Sequence, residues 1–227
     1  MIQAVIFDLD GTVLDNESEW EAAFTEVAQL RGLAVPQLVR QPNNWMHEPG
    51  IGLERNWLKI TEGDVELARK LARETKDEYR SLSQGQTLRG GVEDVIEKVK
   101  ARGWRTALAT SSLWHIVEVE VEELALQLAF DVTVTGDEVL LPKPDPEIYL
   151  LTAQKLELEP ADCLVVEDAV AGVRSAVEAG CPVVALESDY APAGILKAAG
   201  ANCVVEGMGE ILKLGNDDYF ETLSKGF

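Results

Sequence analysis

A chain of 227 residues can bury a full hydrophobic core and carry a second, smaller domain. Its composition, 46% hydrophobic and 26% charged with 18 Gly and 9 Pro, excludes the disordered and fibrous classes. Forty acidic against 20 basic residues give a formal charge of −20, a field that repels nucleic acid and anionic membranes. A site for an anionic ester on such a chain must bring its own local positive charge.

The opening apolar run from Ile2 to Phe7 is too short for a signal peptide and has no basic lead. No apolar run approaches the roughly 20 residues of a membrane span. Cys163, Cys181 and Cys203 are odd in number and lie beside apolar runs, which fits buried thiols in a reducing compartment. The expectation is a cytoplasmic monomer with neither a nucleic-acid nor a membrane partner.

Along the chain, residues 3–8 are an apolar run of β-formers ending in acid, a buried strand that delivers Asp8 at its carboxyl end. From Glu17 to about Arg31, Trp20, Ala23, Phe24, Val27, Ala28 and Leu30 recur at helical spacing, and Gly32 supplies a stop. Residues 36–50 hold Pro36, Pro42, Pro49 and Gly50 and read as an ordered loop. Helices resume near Ile51, the stretch 64–82 is amphipathic, and Gln84-Gly85-Gln86 marks a hinge.

After Gly90-Gly91 helix and strand alternate: helix 92–101, strand 104–110, helix 113–128, strand 130–135, helix 146–156 and strand 163–167. Helix 169–179, strand 183–186, helix 193–199 and strand 203–205 continue the pattern. The segment 116–122 also alternates with period two, but Leu113, Val117, Val121, Leu124 and Leu128 keep the three-or-four spacing of a helix. This alternation predicts an α/β fold, a Rossmann-like doubly wound parallel sheet. The core comprises 1–15 and 87–227, with an inserted all-helical cap domain over 16–86. Ligands of such sheets sit beyond the carboxyl ends of the strands, where Asp8, Thr110 and Glu167-Asp168 fall.

Each polar motif has a plain alternative when taken alone. The Asp8-Leu9-Asp10 acids and Thr110 could cap helices, Lys143 could be a surface lysine, and Glu167-Asp168 could be a solvated turn. Their convergence on one sheet edge marks a site. The stretch Phe7 to Asp15 (FDLDGTVLD) resembles the first motif of the haloacid dehalogenase superfamily. Ala107 to Ser112, Lys143 to Pro146 and Val165 to Val173 resemble its second, third and fourth motifs, in the same order.

The resemblance implies that Asp8 is the nucleophile, forming an aspartyl phosphate. It implies that Asp10 is the general acid and base, and that Lys143, Thr110 and the Ser111 backbone N–H clamp the phosphoryl group. Asp8, Asp10 through its backbone carbonyl, Glu167 and Asp168 are then the ligands of Mg²⁺. The insertion resembles the superfamily's helical cap, and Trp20, Arg40, Asn44, His47 and Arg55 are its candidate contacts to a small phosphorylated metabolite.

The expected activity is hydrolysis of a phosphomonoester. The chain also resembles the group containing β-phosphoglucomutase, but Trp20 stands where that mutase has a histidine. Dehalogenases and phosphonate-cleaving relatives lack an acid at the position of Asp10. Intact Asp8, Asp10, Lys143 and Asp168 speak against a non-catalytic binding protein.

Overall fold

The computed structural model describes residues 1–33, 48–82, 87–126 and 128–214. Short β-branched and aliphatic runs form its strands: β1 Ala4–Phe7, β2 Arg105–Ala109, β3 Val132–Val134, β4 Cys163–Glu167, β5 Val183–Leu186 and β6 Cys203–Val205. They pair in parallel, in the order β3-β2-β1-β4-β5-β6. β1 lies between β2 and β4, with Val5 beside Thr106 on one side and Leu164 on the other. Because side chains alternate along a strand, each face of the sheet needs its own cover. Val5 and Phe7 enter one core with Val95, Val99 and Met208, while Ala4 and Ile6 enter the other with Tyr149, Val173 and Ala176.

Helices α4 Val92–Ala101 and α9 Met208–Leu214 cover the first face, and α6 Glu147–Leu156 and α7 Val170–Ala179 the second. α5 Trp114–Glu123 follows β2, and α8 Ala193–Ala199 precedes β6. The cap comprises α1 Glu17–Leu30, α2 Leu53–Ile60 and α3 Val65–Leu82. It has its own apolar cluster, including Phe24, Val27, Trp57 and Leu71, in which the Phe24 and Trp57 rings stack at 4.0 Å. Among the described residues, no helix is long and apolar enough to cross a membrane.

The structure corrects two elements. The helix expected over 113–128 stops at Glu123, because Ala125 turns left-handed at φ 55° and leaves Leu128 89% exposed. No Gly or Asn announces that stop. α9 was not foreseen. The period-two segment is helical, with Val117 fully buried and Val119 42% exposed on opposite faces. Most of the expected 36–50 loop and the expected hinge at Gln84-Gly85-Gln86 lie outside the described residues.

Strand order reverses between β1 and β4, the topological switch point where such sheets bind ligands. Asp8 leaves β1 there and Glu167 ends β4, so the fold alone brings residues 159 positions apart to one crevice.

Candidate active site

The turn after β1 is built to fold back on itself. The N–H groups of Thr12, Val13 and Leu14 all donate to the Leu9 carbonyl, and Gly11 adopts φ 75°. A Cβ at Gly11 would overlap the Asp168 carboxylate, so glycine lets the turn press against the end of β4. The Gly11 N–H donates to Asn16 Oδ1 at 3.0 Å, tying the turn to the start of the cap.

Lys143 is 1% exposed, and its Nζ donates to Asp8 Oδ1 at 2.6 Å, Glu167 Oε1 at 2.7 Å and the Ala109 carbonyl at 3.2 Å. Glu167 Oε1 also accepts from Tyr149 Oη at 2.8 Å, while its Oε2 accepts from the backbone N–H groups of Asp168 and Ala169. All acceptor positions of Glu167 are thus engaged, and the Tyr149 ring lies under the ammonium at 4.9 Å. Burial alone would push the Lys143 pKa down, but Asp8 and Glu167 reverse this and hold the ammonium charged.

Burial pushes the Asp8 carboxyl well above its usual range, against the pull of Lys143. Asp168 is pushed up to about 7, first by burial and then by Glu167, against Arg89 and the hydrogen bond from Thr12 Oγ1 to its Oδ1. Glu17, at the start of α1, is raised by burial and by Asp168, Asp10 and Asp8.

Ligand atoms of Asp8, Glu167 and Asp168 lie within 4.8 Å of one another. Lys143 neutralises only part of their charge. With Asp168 Oδ1 already hydrogen-bonded, its Oδ2 remains to hold a cation beside the Asp8 carboxylate, and an all-oxygen set suits a hard divalent ion.

The raised carboxyls bind protons more tightly in the folded chain than in the unfolded one. The stabilising contribution of Asp168 is therefore complete below about pH 4, its unfolded value, and is lost as pH rises through about 7. Thermal melts in EDTA are expected to show Tm falling between about pH 5 and pH 7.5, and Asp168→Asn should flatten that slope. A Tm that rises over this range would contradict the electrostatics described.

Asp10 lies across the crevice in a cage of donors. Its Oδ1 accepts from Asn16 Nδ2 and Trp20 Nε1, both at 2.7 Å, and its Oδ2 accepts from Ser112 Oγ at 2.6 Å and, more weakly, Thr110 Oγ1 at 3.5 Å. Asp8, Asp10 and Thr110 sit in the wall of a cavity of about 430 Å³ between core and cap. Ile51, Leu53 and Leu58 of the cap and Leu113, Ile116 and Val139 of the core line much of the rest. A space of this size takes a small metabolite.

The residues expected from sequence separate into three groups. Asp8, Asp10, Thr110, Ser111, Lys143, Glu167 and Asp168 gather at the strand ends, with the Ser111 hydroxyl donating to the Gly50 carbonyl at 2.8 Å across the core–cap boundary. Trp20 lines the cavity, but its ring stacks on Tyr79 and its N–H holds Asp10. Arg55 also lines the cavity, and its Nη1 donates to the Lys143 carbonyl at 3.0 Å. Arg40, Asn44 and His47 lie outside the described residues. Asn16, Ser112 and Tyr149 were missed. They stand within or beside the motif stretches, but no spacing rule marks which of their neighbours they touch.

The chain matches the model of the haloacid dehalogenase-like hydrolase family over residues 2–180. It is 33% identical over 180 residues to a phosphorylated carbohydrates phosphatase of Thermotoga maritima, spanning 79% of this chain and 82% of that one. The CbbY protein of Rhodobacter sphaeroides, solved with phosphate, superposes with TM-score 0.79 at 25% identity, covering 97% of this chain and all of that one. A beta-phosphoglucomutase of Clostridium difficile superposes with TM-score 0.82 at 25% identity, over 99% and 98% of the two chains. With four motifs in order, one acidic crevice at the switch point and a helical cap above it, this chain belongs to the haloacid dehalogenase-like hydrolases.

Proposed function

We propose that the protein hydrolyses a small phosphomonoester, a phosphorylated carbohydrate or similar metabolite, through an aspartyl phosphate on Asp8. The observation that carries this reading is the pairing of Asp8 and Asp10. One carboxylate is locked by Lys143 and the other sits in a cage of neutral donors, both facing one cavity of metabolite size. The likeness to a phosphatase of phosphorylated carbohydrates supports the substrate class.

Asp8 Oδ2 attacks phosphorus and the bond to the leaving oxygen breaks, with Asp10 giving that oxygen its proton. Water then attacks the aspartyl phosphate, Asp10 takes the water's proton, and the Asp8–phosphorus bond breaks. Lys143 fixes Asp8 Oδ1 and leaves Oδ2 as the attacking atom, and Thr110 and the Ser111 N–H clamp the phosphoryl oxygens. Asp8, Asp168 and the Asp10 backbone carbonyl would hold Mg²⁺, which would supply the charge that lets the anionic ester approach the carboxylates. Glu167 serves this set by orienting Lys143.

A phosphoryl-transfer isomerase is the second reading, supported by the likeness to beta-phosphoglucomutase. Trp20 weighs against it: an indole N–H donates but has no basic nitrogen to carry a proton, and here it is engaged by Asp10. Phosphate release from a panel of sugar and polyol phosphates is expected with Mg²⁺ and not with EDTA. Isomerisation of a hexose 1-phosphate without phosphate release would favour the mutase instead.

A further inference from the structure

We propose that Trp20 is a positioning residue for proton transfer at Asp10, and that its stack on Tyr79 makes the orientation of that carboxylate depend on how the cap sits on the core. The proposal rests on the phosphatase reading above. Among the described contacts to Asp10, the indole N–H comes from the cap helix α1 and the Ser112 hydroxyl from the core loop after β2. The two therefore grip opposite oxygens of one carboxylate from opposite sides of the domain boundary.

The grip continues away from the cavity. The rings of Trp20 and Tyr79 are parallel within 2° at 3.5 Å, which fixes the indole against α3. Tyr79 Oη accepts from Asn16 Nδ2 at 2.7 Å and donates to Glu120 Oε1 at 2.9 Å, on core helix α5. Asn16, Trp20, Tyr79 and Glu120 are all at most 6% exposed, so water cannot readily replace one of them. Arg80, the next residue, donates to the His115 carbonyl at the start of α5 and extends the same seam.

The chemistry needs such a device. A general acid works only within hydrogen-bond reach of the leaving oxygen, and an aspartate rotates freely unless both oxygens are held. A rigid ring with one N–H is a donor that cannot turn away. Displacing a reacting group by about 1 Å can cost on the order of 100-fold in rate.

Trp20→Phe removes the N–H and keeps an aromatic ring for the stack. The test compares kcat/KM for a primary alkyl phosphate, whose alkoxide needs a proton to leave, with that for p-nitrophenyl phosphate, whose phenolate leaves unaided. The variant is expected to lose about 10-fold or more on the alkyl ester beyond any loss on the aryl ester, and Trp20→His, which keeps a ring N–H, should recover part of the difference. Equal losses on both esters, or none on either, would overturn the proposal. If Trp20→Phe does not fold by circular dichroism, Tyr79→Leu takes its place. That variant removes the ring on which the indole is stacked and leaves the indole N–H itself, and the same two patterns decide. A wild type that hydrolyses neither ester would instead remove the phosphatase reading itself.

Discussion

Replacing Lys143 with methionine is expected to destabilise the fold by about 3–5 kcal/mol and to lower phosphate release on the order of 1000-fold. Methionine matches the lysine stem in length, so the change is chiefly electrostatic. It leaves Asp8 and Glu167 facing each other across a site with no exposure at the lysine side chain, each having lost its charged donor. Urea unfolding measures the first effect. Adding Glu167→Gln separates the two causes, because one fewer buried charge should return part of the stability and none of the turnover. A Lys143→Met protein as stable as wild type would mean that the buried triad is not held as described.

Gly172→Ala is the second large effect, and its sign runs against the usual rule. Within a helix, alanine is normally better than glycine by about 1 kcal/mol. Gly172 lies in the first turn of α7, where a Cβ would overlap Cδ and both carboxylate oxygens of Glu167. Moving that carboxylate breaks its hydrogen bonds with Lys143, Tyr149 and two backbone N–H groups. A loss of about 3 kcal/mol or more is expected, with turnover falling alongside. Gly194→Ala in α8, where nothing lies within 4 Å of the added carbon, is the matched control and should be neutral or slightly stabilising. Equal melting temperatures for the two variants would contradict the close packing of α7 on Glu167.

The strands and the polar crescent were legible because they rest on local rules. Buried parallel strands are largely apolar runs, and each ends where an acid or a threonine begins the next turn. Asp8, Thr110 and Glu167 could be placed at one edge from that pattern alone. What failed to show depends on contacts distant in sequence. Trp20 is expected as a substrate contact because an aromatic residue in a cap helix invites that reading, and it does line the cavity, but its hold on Asp10 carries no signal in the sequence. Its partners are Asp10 and Tyr79, and the pairing with Tyr79 exists only once α1 and α3 pack together. Tyr149 looked like an ordinary core residue on α6, since its hydroxyl finds Glu167 only after β4 is in place. The early end of α5 at Glu123 has no glycine to announce it, because Ala125 takes the left-handed turn itself.

The identity of Asp8 as nucleophile is the claim on which the rest depends. Acid-quenching the enzyme during turnover of a sugar phosphate with Mg²⁺, then reducing with borohydride, converts an aspartyl phosphate to homoserine at its own position. Peptide mass spectrometry should find that residue at position 8, and with p-nitrophenyl phosphate, whose phenolate leaves unaided, Asp10→Asn, unable to accept the water's proton, should increase its yield. Continued phosphate release from Asp8→Asn, with no modified residue at position 8, would contradict the account.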